Sequence, residues 1–395
     1  MSAKSQKPDT ILTHAGNHPH ENFGVVNPPV YHASTILHRT VAELEASQKT
    51  RFNKGAMSYG RYGTPTTFAL EEAVAEVEAG ERAVALCSGA AACYSAILGF
   101  VRSGDHLLMV DTVYGPVRAF CNGFLRRFGV ETTFYDPMIG AGIAELIRAN
   151  TKVIYLESPG SLTFEVQDVP AIVAAAKARG IATLLDNTWS SPLFFQPLKH
   201  GVDVSIIAGT KYIVGHSDVM MGFVVSGGRS FLAVRQAAAE LGYHAAPDDC
   251  YLALRGLRTA AVRMRHQERQ ALRLAEWLQR RPEVERVLHP ALPGHPGHDF
   301  WRRDFTGSSG LFGVELKHDI PSAAIAAMLD GMALFGMGAS WGGYESLILP
   351  THPDRTRTAT PWVGGSTLRL HAGLEDIGDL IADLEQGFAR LNAAR

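Results

Sequence analysis

The sequence predicts an α/β protein with a mostly parallel central sheet and a smaller C-terminal α+β domain. Between residue 82 and about residue 225, short runs rich in Val, Ile and Leu alternate with helix-like segments. Uniformly apolar strands separated by helices indicate a parallel sheet that is covered on both faces. After about residue 257 the alternation stops, and the chain of 395 residues is long enough for two or three domains.

The alternating block contains six strand candidates with helix candidates between them. The strands are AVALC (83–87), HLLMVD (106–111), KVIYLES (152–158), IATLLD (181–186), DVSIIA (203–208) and MGFVVS (221–226). The helices are expected at 90–101, 116–128 and 169–179. Ligands of such sheets bind at the carboxyl ends of the strands. The residues expected at that edge are Ser88, Gly89, Asp111, Glu157, Asp186 and Lys211.

The parts of the chain on either side of this block have a different character. Residues 1–62 are turn-rich and too irregular for a self-sufficient domain, so we predict an arm that packs on something else. The central domain is expected at 63–257 and the C-terminal domain at 258–395. In the latter, a basic amphipathic stretch precedes two strand candidates, GLFGVEL (310–316) and STLRLHAG (366–373), and a final helix with apolar residues at helical spacing.

Charge, cysteine content and hydrophobicity exclude several classes of protein. Lys and Arg number 37 against 39 Asp and Glu, without a basic block, so nucleic-acid and anionic-membrane binding are disfavoured. The four cysteines form no CxxC pair, and the first 25 residues lack the apolar core of a signal peptide, which together favour a cytoplasmic protein. The uncharged run 83–101 contains Ser88-Gly89, so we predict a strand, a turn and a buried helix rather than a membrane span.

Three histidines, His289, His295 and His298, lie close together in HPALPGHPGH (289–298). Their spacing matches neither a helical pair nor a zinc finger. The Pro- and Gly-rich composition predicts a surface loop, and no metal site is expected.

Lys211 follows a predicted buried strand in the stretch DVSIIAGTKYIVGHSD (203–218). Loss of hydration there disfavours the charged form of a lysine and makes it a candidate Schiff-base amine. A single lysine in this position is more often a surface residue, so a second feature is needed. Asp186 ends a neighbouring strand, where its carboxylate can pair with the ring nitrogen of a pyridine cofactor. It can also cap a helix or balance a buried cation.

Three further features fit an anionic, planar ligand. In CSGAAA (87–92), small residues turn from a strand into a helix and present backbone N–H groups to an anion, although close packing also requires small residues. Tyr114 can stack on a ring or be a core tyrosine. Arg369 lies between Leu368 and Leu370 on the opposite face of its strand, where it can bind a carboxylate or form a surface salt bridge. Neither a Walker loop nor a GxGxxG fingerprint occurs.

The stretch 203–218 resembles the lysine signature of the pyridoxal-phosphate enzymes of cysteine and methionine metabolism, the transsulfuration family. The resemblance extends through nearly the whole chain and implies the aspartate-aminotransferase-like fold, fold type I, with pyridoxal 5'-phosphate as cofactor. The other segments that carry it are YGRYGTPT (59–66), DTVYGP (111–116), LDNTW (185–189), RGLRT (255–259), HPALPGHPGH (289–298), DFTGSSGLF (304–312), SWGGYESL (340–347) and LRLHAGLED (368–376).

This resemblance implies a role for each matching residue around the cofactor. Lys211 is expected to bond the cofactor covalently and to move the proton at the substrate Cα. Asp186 is expected to pair with the pyridine nitrogen, and Tyr114 to stack on the ring. The residues expected to hold the phosphate are Gly89, Ala90 and Thr210 from one subunit and Tyr59 and Arg61 from its neighbour.

It also implies how the substrate and the subunits are arranged. Arg369 is expected to bind the substrate α-carboxylate, with Ser340 and Trp341 shaping the same corner. Tyr59 joins Lys211, Tyr114 and Arg369 as an expected catalytic residue. A site shared between subunits makes a dimer obligatory, and members of the family usually pair dimers into homotetramers.

Two positions favour β-elimination, with L-cystathionine cleaved to homocysteine, pyruvate and ammonia. Gly160-Ser161 stands where γ-acting members usually carry Asn-Pro, and Ala339 stands where they commonly carry Glu. Tyr is frequent at the latter position in bacterial β-eliminating members, so the alanine is a departure that changes the distal pocket. Ala208 replaces a serine of some members, which removes one hydroxyl donor to the phosphate.

Several alternatives stay open from the sequence. A cystathionine γ-synthase, a γ-lyase or an O-acyl-homoserine sulfhydrylase would use the same lysine, aspartate and arginine. A cysteine-S-conjugate lyase or a cysteine desulfhydrase would also share them. A non-catalytic regulatory protein on this fold is disfavoured because Lys211, Asp186 and Arg369 are all present.

Overall fold

The computed structural model describes residues 6–395, and its larger sheet has seven strands. These are β1 (Arg82–Leu86), β2 (His106–Val110), β3 (Glu131–Tyr135), β4 (Thr151–Glu157), β5 (Ala182–Asp186), β6 (Val204–Ile207) and β7 (Gly222–Ser226). The spatial order is β1-β7-β6-β5-β4-β2-β3. All pairs from β3 to β6 are parallel, and β7 is antiparallel to both of its neighbours. The predicted mostly parallel sheet is confirmed.

The strand β3 was not predicted, and its composition explains why. It has the sequence ETTFY and lies at the edge of the sheet, where only Tyr135 is fully buried. The central strands are buried along their whole length because helices cover both faces, so they are uniformly apolar. An edge strand keeps polar residues and lacks that signal.

Eight helices precede or surround the larger sheet. They are α1 (Pro8–His14), α2 (Val41–Thr50), α3 (Pro65–Val77), α4 (Gly89–Leu98), α5 (Gly115–Phe120), α6 (Val169–Lys177), α7 (Ser191–Phe194) and α8 (Gly228–Glu240). The strand, turn and buried helix predicted for 83–101 are β1 and α4. A π-helical segment, Cys121–Leu125, continues α5. No helix among residues 6–395 combines the length and the apolar character that crossing a membrane requires.

The C-terminal part of the chain has a separate four-stranded antiparallel sheet, in the order β10-β11-β9-β8. The strands are β8 (Val284–Leu288), β9 (Leu311–Leu316), β10 (Leu347–Thr351) and β11 (Thr367–His371). Its helices are α10 (Ala260–Leu278), α11 (His298–Asp304), α12 (Ser322–Asp330) and α13 (Ile377–Ala393), whereas α9 (Pro247–Leu257) packs against α3 beside the larger sheet. The predicted strands β9 and β11 and the final helix are confirmed, whereas β8 and β10 were missed.

The predicted arm is only partly attached to the rest of the chain. Leu12 of α1 is buried, and Arg258 donates hydrogen bonds to the carbonyls of Leu12 and Ala15, both at 2.9 Å. In contrast, α2 has no buried residue. The predicted boundary between residues 257 and 258 falls in the short link between α9 and α10, and the three-part division remains a prediction.

The prediction that 289–298 is a surface loop is wrong in part. His289 and His295 are buried, and Leu292 between them is buried as well. Burial lowers the pKa of His289 to about 3 and that of His295 to about 4, so both rings are neutral at physiological pH. The Pro and Gly residues Pro293, Gly294 and Pro296 are exposed, as the prediction requires, whereas the two histidine rings turn inward. Residues 6–395 contain no cluster of three or more His, Cys, Asp or Glu suited to a metal ion.

Candidate active site

The carboxyl ends of β4, β5 and β6, together with the start of α4, surround a cavity of about 520 Å³. Residues of the C-terminal sheet and its loops close the opposite side. The predicted site residues that line this cavity are Gly89, Ala90, Tyr114, Asp186, Thr210, Lys211, Ser340, Trp341 and Arg369. The structure therefore brings together nearly all of the residues that the sequence indicated, from both predicted domains.

Lys211 lies in a turn four residues after β6 rather than at the end of the strand itself. Its Nζ donates a hydrogen bond to Ser340 Oγ at 2.6 Å and lies 5.3 Å from the centroid of the Trp341 ring. Burial, and secondarily the positive charge of Arg369, lowers the pKa of Lys211 to about 8. Its amine can therefore become neutral near physiological pH, which a nucleophile or a base requires.

Asp186 is the last residue of β5 and is buried. Its Oδ1 accepts hydrogen bonds from Thr188, from the backbone N–H at 3.0 Å and from Oγ1 at 2.5 Å. The thiol of Cys93 lies 3.8 Å from Oδ2. Burial raises the pKa of Asp186, while the Thr188 hydrogen bonds and the charge of Lys211 oppose that shift. A buried carboxylate with so few charged partners suits a cationic ring nitrogen.

The start of α4 offers backbone donors to an anion. Ser88 caps the helix, its Oγ accepting the N–H of Ala91 at 3.1 Å. The N–H groups of Gly89 and Ala90 have no acceptor among residues 6–395 and belong to the first turn, where helical partners do not exist. A Cβ on Gly89 would lie 2.5 Å from the Cβ of Ala208, so glycine is needed for α4 to begin this close to the turn after β6.

The Thr210 hydroxyl is engaged with the backbone of its own chain. It accepts the N–H of Met221 at 2.9 Å and donates to the Met221 carbonyl at 3.1 Å. These bonds fix the turn that carries Lys211 against the start of β7. Its expected phosphate contact remains a prediction.

Tyr114 is 45% exposed and lines the cavity just before α5. Its backbone N–H donates to Glu157 Oε2 at 2.7 Å, which holds the tyrosine at the end of β4. Burial raises the pKa of the Tyr114 phenol, so the hydroxyl stays protonated at neutral pH.

Glu157, Cys93 and Thr188 also line the cavity, although no role was predicted for them. Glu157 pairs in register with Asp186 on the next strand, and burial beside that carboxylate raises the pKa of Glu157 well above its usual value. Its position at a strand end was the one signal that pointed to it. Cys93 gave no such signal, because a cysteine within an apolar helix is read as core.

Arg369 occupies the middle of β11, between the buried residues Leu368 and Leu370, as predicted. Its guanidinium donates to the Ser340 carbonyl at 2.8 Å. Ser340 thus contacts both cations of the site, through its hydroxyl to Lys211 and through its carbonyl to Arg369. Ser340 has a φ of +91°, which turns the chain sharply beside the cavity.

Tyr59 and Arg61 do not line this cavity. Arg61 instead donates to the carbonyl of Ala239 on α8 at 2.5 Å. Tyr59 is 44% exposed, with its hydroxyl 3.4 Å from Ser34 Oγ. Their expected role in the site of a neighbouring subunit stays a prediction.

The positions expected to discriminate between reactions, Gly160, Ser161 and Ala339, also lie on the cavity wall, as does Ala208, which was expected to lack a donor to the phosphate. A Cβ on Gly160 would lie 2.2 Å from Thr112 Oγ1, so the loop after β4 can approach only with glycine there. Ala339 is exposed and places no charge in the cavity. The charged residues of the lining are Glu157, Asp186, Lys211 and Arg369.

These residues together fit pyridoxal phosphate. The cavity offers a lysine with a lowered pKa, a buried carboxylate, an aromatic ring and two unpaired N–H groups at a helix start. The donors would serve the phosphate and the carboxylate would serve the ring nitrogen. The guanidinium of Arg369 remains available to bind the carboxylate of a further ligand.

Comparison with known proteins is consistent with this chemistry. Residues 9–389 match the family described as Cys/Met metabolism PLP-dependent enzymes. The chain is 46% identical to cystathionine beta-lyase MetC of Escherichia coli, over 98% of this chain and 99% of that protein. It is 45% identical to cystathionine beta-lyase of Salmonella typhimurium, over 97% and 98% of the two chains. A crystal structure of metB from Corynebacterium glutamicum superposes with a TM-score of 0.90 at 31% identity, covering 99% of this chain and 100% of that one.

Proposed function

Because this chain belongs to the family of PLP-dependent enzymes of Cys/Met metabolism, we propose that it is a cystathionine β-lyase. The reaction is the β-elimination of L-cystathionine to homocysteine, pyruvate and ammonia. The observation that carries the proposal is full-length similarity to cystathionine beta-lyases, at 46% and 45% identity. The absence of an acidic side chain at Ala339, on the cavity wall, supports it.

Residues of this cavity would hold the cofactor, with Thr210 beside the phosphate. Lys211 would bond it covalently, Asp186 would pair with its ring nitrogen, and Tyr114 would cover one face of the ring. The backbone N–H groups of Gly89 and Ala90 would bind the phosphate, because the start of a helix favours anions. Bound pyridoxal phosphate withdraws electrons from the substrate Cα and so makes its proton acidic.

The side chains of this cavity perform the remaining tasks. Arg369 binds the substrate α-carboxylate with its fork of N–H donors. Lys211, as a neutral amine, removes the proton from Cα and can deliver it to the departing sulfur. Ser340 accepts a hydrogen bond from Lys211 and thereby keeps the amine on the same side of the cavity as Arg369. Such positioning lowers the barrier by reducing the freedom that the reacting groups must lose.

The proposed assembly is a homodimer with shared sites, paired into a homotetramer. The arm supports it, because several large apolar side chains there are largely exposed, namely Phe23, Val26, Leu37 and Val41. Exposed apolar clusters of this kind are typical of protein interfaces. In such a dimer, Tyr59 and Arg61 of one subunit would reach the phosphate in the other.

A cytoplasmic location is part of the proposal. The four cysteines are all free thiols, and Cys93, Cys121 and Cys250 are buried in the core. A reducing compartment is the setting in which unpaired cysteines are common.

Product identification tests the proposed reaction. The holoenzyme is incubated with L-cystathionine, and the 2-oxo acid and the thiol amino acid are identified by mass spectrometry. Pyruvate with homocysteine is the expected result. The products 2-oxobutyrate and cysteine would instead identify a γ-lyase and would contradict the reading of Ala339.

Two further incubations separate the remaining alternatives. Release of sulfide from L-cysteine at a higher kcat/KM than cystathionine cleavage would identify a cysteine desulfhydrase. Formation of cystathionine from an O-acyl-homoserine and cysteine would identify a γ-synthase. A protein that stays colourless after reconstitution with pyridoxal phosphate would revive the regulatory alternative.

A further inference from the structure

Residues 356–360, called the strap below, lie in the connection between β10 and β11 and contact the larger sheet through Asp111. The carboxylate of Asp111 accepts the backbone N–H groups of Thr358, Ala359 and Thr360 at 2.8 to 3.0 Å. The Thr358 hydroxyl donates to the same carboxylate at 3.1 Å. One side chain of the central domain thus binds three consecutive amides of the C-terminal domain.

The charge of Asp111 is essential to this attachment. Thr358 and Ala359 are exposed, so apolar packing contributes little to holding them in place. Asp111 itself is buried, and Arg118 balances its charge with a hydrogen bond of 2.6 Å. Hydrogen bonds to a charged group in a buried setting are stronger than neutral ones. The exposed part of the strap, Thr358 and Ala359, is therefore held mainly by one carboxylate.

A second attachment joins the strap to a loop on the cavity wall. Arg357 forms an ion pair with Glu165 at 2.5 Å and donates to Thr163 Oγ1 at 3.3 Å. Thr163 and Glu165 belong to the loop after β4, from which Gly160, Ser161, Leu162 and Phe164 line the cavity. The strap thus contacts two separate parts of the larger domain.

The chain connects each of these contacts directly to the cavity. Asp111 lies three residues before Tyr114, and the strap ends nine residues before Arg369 on β11. Movement of the strap away from Asp111 would free Arg369 and Tyr114 to change their separation, because these two residues belong to different domains. Substrate binding between them depends on that separation.

We propose that Asp111 and the strap are positioning elements that fix Arg369 relative to Tyr114 and thereby set the affinity for the amino-acid substrate. The inference rests on the proposed role of Arg369 as the residue that binds the substrate carboxylate. Neither Asp111 nor a residue of the strap lines the cavity, so these residues act through others.

The test replaces Asp111 with asparagine, which keeps the size of the side chain but removes its charge. A matched control exists in the C-terminal domain, where the Asp383 carboxylate likewise accepts three consecutive backbone N–H groups, from Ala333, Leu334 and Phe335. Asp383→Asn removes the same kind of interaction at a position that does not line the cavity. Comparison of the two variants separates positioning from general loss of stability.

Three measurements are made on the holoenzymes. KM and kcat are measured with L-cystathionine. The dissociation constant of glycine, which has the α-carboxylate and amine but no leaving group, is measured from the change in cofactor absorbance. Hydrogen exchange of the amides at 358–360 is followed by mass spectrometry. Because glycine binding does not require cleavage, the positioning role can be tested even if the proposed lyase reaction is wrong.

For Asp111→Asn we expect faster exchange at 358–360, and a rise in KM and in the glycine dissociation constant of about fivefold or more, with kcat changed less than about threefold. The spectrum of the bound cofactor should stay the same. For Asp383→Asn we expect a lower melting temperature with unchanged substrate affinity. Arg357→Gln removes the ion pair with Glu165 and the longer contact of Arg357 Nε with Asp111 at 3.8 Å, but keeps the Asp111 carboxylate and its bonds to the three backbone N–H groups. It should give a smaller rise in KM and serves as the second variant if Asp111→Asn does not fold.

Two results would overturn the proposal. One is faster exchange at 358–360 with unchanged affinity for both ligands, which would show that a released strap has no effect on the site. The other is an equal loss of affinity in Asp383→Asn, which would show that the effect is general destabilisation. If Arg357→Gln is the only folded variant, unchanged affinity in it would count equally against the proposal.

Discussion

Lys211 and Glu78 show how burial alone changes the chemistry of single side chains. The pKa of Lys211 is lowered to about 8 because its ammonium is desolvated and lies near Arg369. The pKa of Glu78 is raised to about 8 because the carboxyl is fully buried, with hydrogen bonds from Ser205 and Asn187 only partly opposing the shift. In both cases the neutral form is favoured, as desolvation requires. For Lys211, the neutral form favours the proposed chemistry. For Glu78, burial of the carboxyl lowers the free energy of unfolding at neutral pH.

Replacing Lys211 with alanine tests the central assignment. We expect kcat for L-cystathionine to fall by a factor of about 10²–10⁴ or more, because the base that moves the Cα proton is lost. The protein should remain folded, as judged by circular dichroism, and Lys152→Ala, at an exposed position, should retain full activity. Substantial activity in Lys211→Ala would remove this lysine from the mechanism.

The stability of the protein should depend on pH through Glu78. Its folded-state pKa of about 8 lies above the ordinary glutamate value of 4.5, so between these two pH values the native state holds a proton that the unfolded state has released. The contribution of this group to the free energy of unfolding is complete below about pH 4.5. It decreases as the pH rises towards 8, and the loss is on the order of 3 kcal/mol by pH 7.

Glu78→Gln removes this titration and should raise stability at pH 8 relative to wild type while changing it less at pH 5. Urea unfolding at the two pH values measures the difference. Glu76→Gln, two residues earlier in α3 and partly exposed, is the control. An identical pH dependence in Glu78→Gln and wild type would show that Glu78 is ionised in the native state.

At the level of elements, close packing places the start of α4 beside the turn that follows β6. Glycines make this possible, because a Cβ on Gly89 would collide with Ala208 and one on Gly222 would lie 2.1 Å from the Ser88 carbonyl. The unpaired N–H groups of the helix start thereby lie on the same cavity as Lys211. Three elements that are distant in sequence would form the proposed phosphate site through these contacts.

Gly89→Ala should therefore weaken cofactor retention while the rest of the fold is preserved. The added methyl group must push α4 away from Ala208, and we expect the dissociation constant of pyridoxal phosphate to rise about tenfold or more. Equilibrium dialysis followed by cofactor absorbance measures it. Gly123→Ala, where a Cβ meets no atom within 4 Å, is the control. Equal retention in both variants would contradict the assigned phosphate site.

At the scale of the whole molecule, the cavity lies where the two sheets meet. Asp186 and Lys211 come from the larger sheet, whereas Arg369 comes from β11 of the smaller one. The arm, by contrast, leaves its apolar residues exposed and places Arg61 away from the cavity of its own chain. A single chain therefore forms the pocket but not all of the site that we propose.

Mixing subunits tests whether two chains share a site. Lys211→Ala and Arg61→Ala subunits are each expected to have low activity, and random reassembly should restore about a quarter of wild-type activity, because half of the dimers are mixed and each mixed dimer has one intact site of two. Activity is measured after joint refolding, with mixed dimers verified by differently tagged subunits. No gain over the separately refolded variants, with mixed dimers present, would place both residues in the same chain's site.

The sequence by itself determined the central features of the protein. Uniformly apolar strands predicted the mostly parallel sheet, and polar residues at their ends predicted where Asp186 and Lys211 would meet. The alternation of Leu368, Arg369 and Leu370 correctly predicted which face of β11 carries Arg369. These features are readable because burial imposes a local pattern on the residues of each element.

Only the tertiary structure decided the contacts between elements. It paired Glu157 with Tyr114, bound the Thr210 hydroxyl to Met221, and buried His289 and His295 of a loop that the composition placed at the surface. It also attached the strap to Asp111, across more than 240 residues of chain. Such contacts leave no periodic signal, because their partners are set by how the two sheets pack and not by neighbours in the sequence.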